Sequence, residues 1–224
     1  MTTRRTPPFR GLILDFVGVL TQGVREPLRA WCRASGLPED AWRATLEDHP
    51  RGRALYRDLE AGLMTQAEWN AATAELLGVP PENLMGRAWA QVRPAPGMIA
   101  LARAARAAGY RVAMLSNSFG LDPYDPYGHA GVWDLFDVAV ISEREGIAKP
   151  DPEIYRRVLE RLGLPASACV FVDDYPRNLL PARALGLTTV LADGGPAATP
   201  AALAALLGVP LPSCPAAGTV VPPK

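Results

Sequence analysis

Four short stretches carry polar residues where the chemistry of an α/β enzyme would need them. Asp15 closes the apolar run Gly11-Leu12-Ile13-Leu14, and Gly18 follows after two more residues. Ser116-Asn117 follows Val112-Ala113-Met114-Leu115, Lys149 stands in Gly146-Ile147-Ala148-Lys149-Pro150, and Asp173-Asp174 ends a run through Phe171-Val172, with Asn178 close behind. A carboxylate at the C-terminal end of a strand in such a sheet sits in the crevice where ligands bind. Burying it unpaired is costly, so a cation or a ring of donors must surround it. Two adjacent carboxylates near a third repel unless a divalent cation neutralises them, and hard oxygen ligands suit Mg²⁺. Each stretch alone is what a capped turn or a solvated loop end also looks like. Four of them, each at the end of a predicted strand, point to one site.

Lys149 stands out for a second reason. Of 23 basic residues only two are lysines, Lys149 and the C-terminal Lys224, and all the others are arginine. Arginine is a planar fork and lysine a compact ammonium, so a site that needs the latter cannot accept the former.

The elements that must position these residues alternate in type. Strands are predicted at 11–14, 110–115, 138–141, 169–172 and 188–191, and helices at 98–108, 152–162 and 176–185. The last two helices open on proline at their first position, and Thr199-Pro200 opens a final alanine-rich helix to Leu207. Strand–helix alternation argues a Rossmann-like, doubly wound parallel sheet, an α/β fold. Residues 22–93 differ, because they are helical throughout. Thr65-Gln66-Ala67-Glu68 is a capping box for a helix that Gly78 stops after Leu77, and Pro80-Pro81-Glu82 starts another through about Gln91. Trp31, Trp42, Trp69 and Trp89 read as packing residues between these helices. Residues 1–8 read as a disordered lead-in and the chain beyond Pro210 as a flexible tail.

Composition narrows the setting. The chain has 224 residues, 49% of them hydrophobic, enough for a large core. Net charge is zero with a pI near 6.7, which argues against nucleic acid or an anionic membrane as partner. Cys32, Cys169 and Cys214 are odd in number and far apart, so they read as reduced thiols in a cytoplasmic protein. Arg4-Arg5 imitates a secretion signal, but Asp15 interrupts the apolar run behind it and no cleavage site follows. No uncharged stretch is long enough to span a membrane. His49 and His129 lack metal-ligand spacing.

The segment Asp15-Phe16-Val17-Gly18-Val19-Leu20 resembles the first motif, D-x-D-G-[TV]-[LV], of the haloacid dehalogenase-like (HAD) hydrolases. Ser116, the Lys149 stretch and Asp173-Asp174 are similar to that family's later motifs, in family order, so that the resemblance covers residues 11–211. It implies a core of residues 1–21 and 94–211, a helical cap of residues 22–93 like that of the epoxide-hydrolase-like and dehalogenase-like branch, and a tail of 212–224. It also implies an aspartyl-phosphate on Asp15, with Mg²⁺ held by Asp15, the Val17 carbonyl and Asp174. Ser116, Asn117 and Lys149 would then hold the phosphoryl group, with Asp173 orienting Lys149 or a metal-bound water. The expected partner is a small phosphorylated substrate, with homodimerisation left open.

Val17 departs from the pattern, since most phosphatases of the family carry a second Asp there as general acid and base. Such a group contributes roughly 10²- to 10⁴-fold. Without it, the enzyme would favour good leaving groups or borrow an acid from the cap or a loop, the loop Asp122–His129 being the nearest sequence candidate. The dehalogenase branch also lacks the second Asp and needs no metal, but Asp173-Asp174 would bring it useless negative charge. Residues 22–93 contain no lysine, which excludes the phosphonate-cleaving branch and its cap Schiff base. A non-catalytic binding or regulatory role is the remaining alternative.

Overall fold

The computed structural model describes residues 9–193 and 195–211. The expected lead-in at 1–8, the tail at 212–224 and Cys214 lie outside them. Five parallel strands form the central sheet: β1 (Gly11–Leu14), β4 (Arg111–Ser116), β5 (Val138–Ile141), β6 (Cys169–Asp173) and β7 (Thr188–Leu191), in the order β5-β4-β1-β6-β7. A two-stranded ribbon of β2 (Thr21–Gln22) and β3 (Arg93–Pro94) completes the strands.

Both faces of the large sheet are covered, so the interiors of its central strands β1, β4 and β6 are apolar and sort their side chains by alternation. Leu12, Leu14, Val112, Met114, Val170 and Val172 enter one core, and Ile13, Ala113, Leu115, Cys169 and Phe171 the other. The first core lies against α6 (Pro96–Ala107) and α11 (Gly195–Leu207), the second against α9 (Pro152–Leu162) and α10 (Pro176–Ala184). The chain runs outward from β1 to β4 and β5, then crosses back to β6 and β7. β1 is therefore the switch point, and residues just beyond its C-terminal end face an open crevice.

Between β2 and β3 lie α1 (Arg25–Ala34), α2 (Ala41–Arg43) running into a π turn (Ala44–Asp48), α3 (Pro50–Glu60), α4 (Gln66–Leu77) and α5 (Leu84–Trp89). The tryptophans bind this segment together as expected: Trp31 meets Trp42 at 5.5 Å between ring centroids, and Trp42 meets Trp69 at 5.8 Å. Trp89 instead stacks on Phe119 at 4.7 Å, joining the segment to the loop after β4. Gln66 secures the same junction. Its amide nitrogen donates to the carbonyls of Phe119 and Tyr124, and its oxygen accepts from the Tyr124 amide.

Several boundaries differ from the sequence expectation. The β2–β3 ribbon is unforeseen, because two-residue strands carry no periodicity; it ties the two ends of the helical segment. α5 starts at Leu84, not near Pro80, since Asn83 in a left-handed conformation caps it through its side chain. α11 starts at Gly195 and carries Pro200 inside it rather than at its start. The loop Asp122–His129 is anchored at its centre, with Pro126 and Tyr127 buried and both ends exposed. Within it α7 (Pro126–His129) is capped by Asp125, and Tyr127 is fully buried.

The capping box of α4 is complete, with Thr65 Oγ1 accepting from the Glu68 amide and the Glu68 carboxylate accepting from the Thr65 amide. Thr65→Ala removes the first of these and should destabilise the protein by about 1 kcal/mol. Urea unfolding of the two proteins checks the value, and no measurable loss would mean the cap contributes nothing.

Candidate active site

The chain after β1 turns sharply. The Phe16 carbonyl accepts from the amides of Val19, Leu20 and Thr21, and the Gly18 amide donates to Thr21 Oγ1. Gly18 has φ +75°, and a Cβ there would lie 2.0 Å from Asp174 Oδ2. Only glycine permits both the conformation and the approach of Asp174. The turn leaves Asp15 at the base of the crevice, and its Oδ1 accepts from its neighbour Phe16's amide at 2.7 Å.

Lys149 Nζ reaches the same Oδ1 at 2.8 Å and Asp173 Oδ2 at 2.7 Å, with the ammonium and both carboxylates buried. Asp173 is fixed in turn by the amide of Tyr175 at 2.8 Å and by Asn178 Nδ2 at 3.1 Å. Asn117 holds the Lys149 backbone from the other side. Its Oδ1 accepts from the Lys149 amide at 2.8 Å and its Nδ2 donates to the Lys149 carbonyl at 3.1 Å.

Carboxylate oxygens of Asp15, Asp173 and Asp174 lie within 4.8 Å of one another. One ammonium cannot neutralise three carboxylates. Burial and the charge of Asp173 raise the Asp15 carboxyl more than Lys149 lowers it, so that it is pushed up to about 8. Burial and the same neighbour hold Asp174 up as well. Lys149 is held above its ordinary value: burial works against its charge, and the pull of Asp15 and Asp173 overcomes that. An all-oxygen donor set with surplus negative charge fits a hard divalent cation.

A cavity of about 170 Å³ opens above Asp15, lined by Val17, Tyr56, Glu60, Trp89, Asn117, Phe119, Lys149, Tyr175, Arg177 and Asn178. Val17, Tyr56 and Tyr175 also line a larger cleft of about 840 Å³, which has an apolar wall of Val24, Leu28, Trp42, Leu46 and Met98, a charged rim of Arg25, Arg29, Glu39, Asp40, Arg43 and Glu47, and Asp174 at its inner end. The small cavity holds the reactive groups, and the large one is the room beside it.

Of the sequence candidates, Asp15, Asn117, Lys149, Asp173 and Asp174 come together. Ser116 stands behind them, fully buried, with its Oγ accepting from the Tyr127 hydroxyl at 3.0 Å, and it does not line the cavity. Asp122, Asp125 and His129 do not line it either, so the polar loop brings no carboxylate to the site. Asp125 caps α7 and accepts from Trp133 Nε1. Sequence reasoning missed Arg177, Tyr56 and Glu60. Arg177 was findable from its place in the first turn of the helix after Asp173-Asp174. Tyr56 and Glu60 lie on an ordinary amphipathic helix, and nothing local marks them.

The haloacid dehalogenase-like hydrolase family profile matches residues 9–186. The chain is 42% identical over 106 residues to mouse acyl-CoA dehydrogenase family member 10, covering 47% of this chain and 10% of that protein. It is 35% identical over 96 residues to the sesquiterpene phosphatase of Aspergillus oryzae, covering 43% of this chain and 49% of that one. The chain thus spans less than half the length of these relatives. In structure it resembles a magnesium complex of a HAD family enzyme from Bacteroides thetaiotaomicron, with a TM-score of 0.63 and 25% identity over 82% of this chain and 93% of that one. An L-2-haloacid dehalogenase is similar too, with a TM-score of 0.60.

Replacing Lys149 by Met leaves Asp15 and Asp173 buried without their shared cation. Breaking a buried pair from one side costs about 3–5 kcal/mol, so urea unfolding at neutral pH should register a loss of that size. A carboxyl raised by burial stabilises the fold while protonated and loses that contribution as pH rises through its folded value. The deficit of the variant should therefore shrink in acid. A variant as stable as the parent at neutral pH would contradict the pairing.

Proposed function

The chain belongs to the haloacid dehalogenase-like hydrolases, and on that premise we propose that it is a magnesium-dependent phosphatase working through an aspartyl-phosphate on Asp15. The observation that carries this reading is the charge at the site: three carboxylates around one buried ammonium. That surplus suits a divalent cation, which would in turn hold a phosphoryl group, and a metal-free enzyme attacking a carboxylate substrate would gain nothing from it. Asp15, Asp174 and the Val17 carbonyl would hold Mg²⁺. When bound, the ion neutralises the carboxylates and polarises the phosphoryl oxygens.

The chain's own residues do the rest. Oδ1 of Asp15 is engaged by Lys149 and the Phe16 amide, which leaves Oδ2 as the attacking atom. It forms a bond to phosphorus as the leaving oxygen departs. Lys149 balances the charge of the transferring group, and Asp173 positions that ammonium. Arg177 offers planar donors to the phosphoryl oxygens, and Asn117 orders the strand end beneath them. For Ser116 to contact phosphate, its hydroxyl would have to leave Tyr127.

Residues 22–93 act in this reading as a cap over a core of 1–21 and 94–211. The apolar wall of the large cleft suits a small phosphorylated metabolite with a hydrocarbon body. The phosphatase activity named for the Aspergillus oryzae relative supports the reaction class. Cys32 and Cys169 are both free thiols, in keeping with a cytoplasmic setting. No helix among the described residues is long and apolar enough to cross a membrane.

The test is turnover of p-nitrophenyl phosphate with Mg²⁺ and after EDTA, beside calorimetry of Mg²⁺ binding. We expect activity that EDTA removes and Asp15→Asn abolishes, and Mg²⁺ binding that Asp174→Asn weakens. Absence of Mg²⁺ binding together with metal-independent turnover of 2-chloropropionate would replace this reading with a dehalogenase.

A further inference from the structure

Val17 leaves the site without a carboxylate where the family motif places its acid and base, yet one other carboxylate lines the small cavity. It is Glu60, the last residue of α3, which shares the cavity with Asp15, Val17, Asn117, Lys149 and Arg177. Its position is fixed from the core side. Ser142 Oγ, at the start of α8 (Ser142–Glu145), donates to the Glu60 carbonyl. Two residues on, Gly62 has φ +69°, and a Cβ there would lie 2.3 Å from the Glu143 carbonyl oxygen. The turn that ends α3 can approach α8 this closely only with glycine, and that approach brings Glu60 over the core.

We infer that Glu60 is the general acid and base of the reaction, supplied from the helical segment in place of the carboxylate missing at Val17. This rests on the aspartyl-phosphate reading of the site. In the first step Asp15 Oδ2 bonds to phosphorus, the bond to the leaving oxygen breaks, and that oxygen takes the proton from Glu60. In the second, water bonds to phosphorus, its proton returns to Glu60, and the bond from phosphorus to Asp15 breaks, releasing inorganic phosphate.

The surroundings of Glu60 suit both halves of this cycle. Burial raises its carboxyl, Asn117, Lys149 and Arg177 oppose that rise, and the balance leaves it pushed up to about 7. Near neutrality it therefore both gives and takes a proton. No other charge on the neighbouring elements competes for it. On α8, Glu143 lies beside Ser118 and Arg144, and Glu145 pairs with Arg157 and Arg161. In the π turn Glu47 and Asp48 pair with Arg43, and on α4 Glu68 closes its capping box and Glu75 pairs with Arg51. Tyr56, one turn back on α3, is held well above its ordinary value by burial and stays neutral.

The experiment compares the parent, Glu60→Gln and Glu60→Gln/Val17→Asp on p-nitrophenyl phosphate and on an alkyl phosphate, with Mg²⁺, across pH. An aryl leaving group departs unprotonated and an alkoxide does not. Glu60→Gln should therefore lower the first-step rate on alkyl phosphate by about 10²- to 10⁴-fold and on the aryl ester far less. On the aryl ester it should show a burst, because the aspartyl-phosphate then lacks a base to activate water. The fall in alkyl turnover as pH rises through about 7 should vanish with Glu60. Val17→Asp should restore alkyl turnover in the Gln background, which a misfolded variant would not allow. Equal losses on both substrates, or an unchanged pH profile, would overturn the role of Glu60 while leaving the phosphatase standing. A parent inactive on both esters would instead remove the phosphatase reading itself.

Discussion

A single buried ammonium, Lys149, holds the C-terminal edge of the sheet together by bridging Asp15, just past the end of β1, and Asp173, the last residue of β6. Charged groups this deep persist only when paired and hydrogen-bonded, and here every partner is itself held. Asn117 fixes the lysine backbone, and Tyr175 and Asn178 fix Asp173. Three strand ends are thereby locked at the spacing one small reacting group requires. The arrangement is short of positive charge, and that shortage is the reason to place a cation there.

The helical segment does more than cover this centre. It is tied down at three places: the β2–β3 ribbon at its base, Gln66 against the loop after β4, and the end of α3 against α8. The third contact carries a carboxylate into the small cavity. A motif that lacks its usual acid thus coexists with a helix end that presents one, and Val17 alone is a poor guide to whether the site works. Gly18 and Gly62 make the matching close approaches, one admitting Asp174 and the other admitting α8.

The division of the crevice into two spaces follows from the same packing. Val17, Tyr56 and Tyr175 form the waist between the small polar cavity and the larger cleft with its apolar wall. A side chain without charge at position 17 belongs with the apolar wall as much as with the reacting centre. The two spaces are in this way separated by one ring of residues.

The residues that alternate along β1, β4 and β6 were legible in the chain itself, because burial on both faces demands continuous apolar runs and punctuates them with polar ends. The parallel sheet, the positions of Asp15, Lys149, Asp173 and Asp174, the capping box at Thr65 and the packing role of three tryptophans were all readable from short-range pattern. What the chain could not display was contact between residues far apart in it. Glu60 looks like a surface glutamate at a helix end until α3 meets α8. The loop Asp122–His129 shows no anchor until Gln66 takes the Tyr124 carbonyl and amide, and Ser116 looks exposed to ligand until Tyr127 claims its hydroxyl. Local sequence fixes which backbone conformations and which buried faces are favourable. Only tertiary packing decides which polar groups share a cavity, because that depends on distances between elements that no periodicity records.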